Sequence, residues 1–142
     1  MTKFRLDIEY DYDFLLAGIS CHEKPYRLCW AVNRALELNM ERVDSLAIAL
    51  KKGEEPTSFP LFMQENAEND TATFLVANKG ERPDGPLLIP EQRQADYFFV
   101  AKGPFTDSDH ERMLSEMKKI SFVLMSYRID PETLKSKQNL LF

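Results

Sequence analysis

Five consecutive apolar residues, Tyr97-Phe98-Phe99-Val100-Ala101, follow directly on an acid, Asp96. Aromatic and β-branched side chains suit a strand. Successive strand residues point to opposite faces, so apolar residues at every position imply an interior strand covered on both sides. Asp96 shares the parity of Phe98 and Val100, which turns its carboxylate toward the core or its rim. A carboxylate there must be hydrogen-bonded or paired. We expect it to accept backbone N–H bonds that tie down the preceding turn, residues 90–94. The alternative is a catalytic or ligand-binding carboxylate working beside Glu91.

The residues leading into this strand are as constrained. Pro90 locks its own φ and holds Ile89 extended, so Leu87–Ile89 reads as a short strand or arm that stops at the proline. Pro90 is also suited to open a helical turn, with Glu91 near the positive end of its dipole. Ile89-Pro90-Glu91, three variable residues, then Ala95-Asp96-Tyr97 resembles the signature of the IPExxxVDY family of small bacterial proteins. The likeness extends to Tyr26-Arg27-Leu28-Cys29-Trp30, to Lys135-Ser136-Lys137 and to the end Asn139-Leu140-Leu141-Phe142. Ala95 departs from the family's Val, a loss of volume and not of chemistry. The resemblance implies no assigned activity; it marks Pro90, Glu91, Asp96 and Tyr97 as motif residues of unknown role.

The 142 residues suit one domain, 1–142, with a real core. Eighteen basic against 23 acidic residues leave a net charge of −5, which argues against a duplex nucleic-acid binder. No apolar run reaches membrane-spanning length, and the start lacks the apolar segment of a signal peptide. Cys21 and Cys29 have neither metal-ligand nor disulfide-framework spacing, so we expect free thiols in a reducing cytoplasm. His22 beside Cys21 is poor evidence for a catalytic pair, because chain neighbours point apart. No cofactor-binding or metal-binding pattern is present: no glycine-rich phosphate cradle, and no EF-hand spacing around Glu9, Asp11 and Asp13.

Along the chain, strict alternation over Phe4–Tyr10 predicts a strand. For Phe14–Ile19 we expect a short helix capped by Asp13, with a buried strand as the alternative. Pro25 opens a helix running to about Leu38, its inward stripe formed by Leu28, Val32, Ala35 and Leu36, with Asn39 as its stop. Leu46–Leu50 and Phe59–Met63 read as strands, and Pro60 requires that the latter be an edge or carry a bulge. Thr71–Asn78 should pair with it as a hairpin. Ser108 and Glu111, or Thr106 and Asp109, supply a capping box for a helix with Met113, Leu114, Met117 and Ile120 on its apolar face. A strand over Ser121–Ile129 follows, making a parallel crossover with the central strand. Asp130-Pro131 caps a last short helix.

The expected fold is α+β: a mostly antiparallel sheet of about five or six strands with two main helices packed on it. The expected role is a cytosolic interaction or assembly protein without catalytic activity, most simply a homodimer. The alternative is an enzyme or small-ligand module using Glu91 and Asp96. The apolar end Leu140-Leu141-Phe142 is expected to dock on its own sheet or across a dimer interface, since three large apolar side chains at a chain end are unfavourable in water.

Overall fold

The computed structural model describes residues 14–49, 53–82 and 84–140. The expected strand Phe4–Tyr10, the acids Glu9, Asp11 and Asp13, and the residues Leu141 and Phe142 lie outside that set. Six strands form one antiparallel sheet with two helices, an α+β fold. The strands are β1 (Leu15–Ser20), β2 (Glu41–Ile48), β3 (Thr57–Asn66), β4 (Thr71–Ala77), β5 (Tyr97–Lys102) and β6 (Met125–Arg128). The helices are α1 (Pro25–Leu36), between β1 and β2, and α2 (Asp107–Lys118), between β5 and β6. The spatial order is β2-β3-β4-β5-β1-β6.

The central strand is β5, hydrogen-bonded to β4 on one side and β1 on the other. Its side chains alternate between two cores. Tyr97, Phe99 and Ala101 join Leu15, Ala17, Ile19 and Leu75 beneath the two helices. Phe98 and Val100 join Leu16, Phe74 and Val76 on the opposite face. No α-helix covers that second face among the described residues. It is closed by Leu88, Ile89 and Ala95 from the loop before β5, and by Ile129, Leu134 and Leu140 from the end of the chain. Leu140 is fully buried there, so the described part of the apolar end packs on its own chain.

Several elements differ from the sequence reading. Phe14–Ile19 is strand, not helix: β1 lies between β5 and β6 and is apolar toward both cores, and that two-sided burial overrides a local Asp cap. β5 and β6 are parallel, but β1 is inserted between them and bonded to both. β6 itself is short, because Ser121–Leu124 forms a turn that tucks Val123 into the helix-side core. Pro60 sits in an interior strand; the ladder is irregular between Val43 and Leu46, opposite it, so the bulge is borne out and the edge is not. Glu37 takes the left-handed conformation that ends α1, with φ 57°, ahead of Asn39. For α2 the capping box is Thr106 with Asp109. Pro90 opens a turn, as expected, closed by Gln92 N–H on Ile89 O at 3.0 Å, and the short helix after Asp130 is a single 3-10 turn.

One glycine is required by a close approach. Gly18 faces Tyr127 across the β1–β6 ladder, and the Tyr127 ring lies where a side chain would start. A Cβ at Gly18 would come within 2.6 Å of the ring carbon that bears the hydroxyl. The ring has little freedom to retreat, because its hydroxyl donates to Gln92 Oε1 at 2.9 Å. Gly18→Ala should therefore destabilise the fold by about 1–3 kcal/mol through overpacking. A chemical denaturation midpoint equal to wild type would show that the ring does not occupy that space.

Candidate functional site

The motif begins in a loop with no regular structure. Residues 88–96 cross the second face of the sheet between an isolated β-bridge, Lys79 with Leu87, and the start of β5. A loop laid over a core needs partners for its buried N–H and C=O groups. Asn78, fully buried just after β4, supplies them. Its side-chain amide donates to Gln92 O at 3.0 Å and Ala95 O at 2.9 Å, and its side-chain oxygen accepts from Ile89 N at 2.7 Å. Its backbone N–H donates to Asp96 O at 2.9 Å, and its carbonyl accepts from Leu88 N at 2.8 Å. Ser20 Oγ holds the loop from the other side by donating to Gln94 O.

Asp96 and Tyr97 act together on the connection between β1 and α1. Asp96 is half-buried at the bend before β5. Its carboxylate accepts the backbone N–H of Cys21 at 2.8 Å, while its own N–H donates to Ile19 O at 2.8 Å. The expected partner was a backbone N–H, as found, but it belongs to the loop after β1 and not to the 90–94 turn. The Tyr97 hydroxyl donates to Glu23 O at 2.6 Å. Two adjacent motif residues thus fix residues 21–23, which launch α1. Burial pushes the Tyr97 phenol well up, with the negative charges of Cys21, Asp96 and Glu23 adding to it, so the hydroxyl stays a donor.

Glu91 serves a different part of the chain. Its carboxylate accepts Ser136 N at 2.7 Å and Ser136 Oγ at 3.0 Å. Asn139 donates to Leu88 O at 2.9 Å, so the end of the chain is held at two points on this loop. Pro90 is exposed at the turn, and Ala95 is buried against the second core, where its smaller volume matters for packing.

A cavity of about 370 Å³ opens at the Asp96 end of the loop, lined among others by Cys21, His22, Glu23, Lys79, Asp96 and Tyr97. Glu91 does not line it. Three of the polar groups that do are bonded to the chain itself: one Asp96 carboxylate oxygen to Cys21 N–H, the Tyr97 hydroxyl to Glu23 O, and the Cys21 sulfur to Glu23 N–H at 3.4 Å. Cys21 is buried while His22 is exposed, and burial raises the Cys21 thiol, the reverse of what a thiolate nucleophile needs. Cys29 is also a free thiol, and burial pushes it up to about 11. Among the described residues no group of three or more His, Cys, Asp or Glu is placed to hold a metal ion. Nor is any helix among them long and apolar enough to cross a membrane.

Sequence reasoning missed Asn78. At the end of a β-prone stretch an asparagine reads as a turn former, and only its complete burial marks it otherwise. No family model matches the chain, and neither a curated protein nor a solved structure matches it.

Asn78→Ala should leave the Ala95 carbonyl and the Ile89 N–H buried without partners, at about 1–3 kcal/mol each where water cannot reach them, while the Gln92 carbonyl keeps the Ala95 N–H. Loss of about 2–5 kcal/mol by chemical denaturation is expected, and Asn78→Asp should be little better, since it restores the acceptor but neither donor. A second outcome concerns pH. Burial pushes the Glu91 carboxyl up, but hydrogen bonds from its own backbone N–H and from Ser136 outweigh this and hold it below its ordinary 4.5. With the folded value depressed, the stabilisation is present above pH 4.5 and lost as pH falls through the folded value. Glu91→Gln should flatten that acid-side loss in thermal melts taken between neutral and acid pH; an unchanged slope would show that Ser136 does not hold the carboxylate.

Proposed function

We propose that this is a non-catalytic interaction or assembly protein and that its Ile89-Pro90-Glu91 and Asp96-Tyr97 motif is a structural clasp. One observation carries the reading: the two motif carboxylates serve separate places. Asp96 is committed to the β1–α1 connection and Glu91 to the end of the chain. Acid–base or ligand chemistry by a pair of carboxylates needs both at one site with their environments set apart. Here the cavity beside Asp96 lacks Glu91, and backbone donors occupy both groups. We read the chain as a member of the IPExxxVDY family on its motif, and as cytoplasmic on its two free, buried cysteines.

The positive side of the reading is what the clasp presents. The residues it fixes lead straight into α1, whose Tyr26 and Trp30 stand 67% and 61% exposed. Large aromatics so exposed, next to one another on one helix, are the usual mark of a contact surface.

Asp96→Ala should destabilise the protein by about 1–3 kcal/mol by leaving the Cys21 N–H without its acceptor. Equilibrium denaturation gives the answer. A wild-type midpoint would remove the structural role and return the carboxylate to the cavity as a functional group.

A further inference from the structure

The outward ridge of α1 carries Tyr26, Trp30 and Arg34 at successive four-residue steps, which places them side by side. Beside it a groove of about 500 Å³ runs between α1 and the end of α2. Ala31, Ala35, Ile120 and Phe122 line it with apolar surface, and Trp30 borders it. Its charges are unevenly committed. Glu116 is bridged to Lys119 at 2.9 Å, and Arg27, whose guanidinium lies 5.2 Å from the Phe122 ring centre, is bridged to Glu23 at 3.3 Å. Arg34 stacks 5.4 Å from the Trp30 ring centre and has no acidic partner among the described residues. An apolar groove whose edge carries an arginine without an acidic partner among the described residues fits a partner that brings apolar anchors and a single carboxylate.

We propose that this groove docks an acidic amphipathic helical segment of another protein, its apolar residues in the groove and a carboxylate on Arg34. The proposal rests on the interaction reading above and names the partner's chemistry. A second copy docking face to face fits less well, because the acid that the same groove would bring to Arg34, Glu116, is already bridged to Lys119. Single-stranded RNA needs a track of several cations, and of the groove's two, Arg34 and Lys119, the second is already bridged to Glu116.

The test is selection of displayed random peptides, long enough for about four helical turns, on the full-length protein. Enriched peptides are then titrated against it by fluorescence of Trp30, the sole tryptophan. Enrichment of Asp- and Glu-bearing peptides with apolar residues at helical spacing is expected, with a blue shift of Trp30 emission. Arg34→Gln should weaken them at least about tenfold and Trp30→Ala as much, both with a cooperative melt retained, since both side chains are exposed. Enrichment of no peptide, equal binding to both variants, tighter binding of oligouridylate, or binding lost only with dimerisation would each overturn the groove assignment. None of those outcomes touches the clasp, whose failure would show instead as wild-type stability of Asp96→Ala.

Discussion

The buried side chain of Asn78 is what allows one face of this sheet to be closed without a helix. An irregular segment lying on apolar strands exposes peptide groups to a surface that offers them nothing, and each unpaired group is costly there. A regular helix would satisfy them internally. Residues 88–96 instead take most of their buried partners from one asparagine, which uses both donors and its acceptor on the loop while its own peptide group bonds the loop's two ends; Ser20 and Asn139 hold two further carbonyls. Leu88, Ile89 and Ala95 can then sit against Phe98 and Val100 as a core layer.

That arrangement explains why the motif is distributed as it is. Its apolar members enter the second core, and its polar members reach outward to whatever chain passes nearby. Glu91 meets the end of the chain at Ser136, helping seat Leu134 and Leu140 on the same face. Asp96 and Tyr97 meet the β1–α1 connection at Cys21 and Glu23. At the other end of α1, Asn33 bonds both the N–H and the carbonyl of Met40, fixing the helix to the start of β2. The helix is thus pinned at both ends by side chains bonding backbone, and its direction over the sheet is set before any packing of its outer face.

Much of the architecture was legible because it follows from periodicity. Tyr97–Ala101 announced a two-sided strand, and the stripe at Leu28, Val32 and Leu36 announced a helix on one face of it. Phe14–Ile19 misled, since its apolar run carries no period and the deciding fact is non-local: strands on both sides of it. The bulge opposite Pro60 was legible from proline's missing donor, but interior position was not, because a bulge removes the need for an edge. Of the site, the resemblance named Pro90, Glu91, Asp96 and Tyr97 and left their partners unknown. Cys21 and Glu23 join them by backbone groups, which any residue type supplies, so no residue pattern could reveal them; Ser136 adds its hydroxyl to its backbone N–H.

This use of backbone partners also bears on chemistry. A carboxylate saturated by N–H donors is stabilised in its charged form and is a poor general acid, and a phenol pushed up by burial is a poor base. Thiols raised by the same burial are poor nucleophiles. Groups that would carry catalysis in another setting are thereby held in their least reactive states by the bonds that order the fold. The side chains standing exposed on the outer face of α1 are Tyr26, Trp30 and Arg34, whose chemistry is contact and charge rather than proton transfer. In the proposed interaction role the clasp would act on recognition by holding that ridge in place.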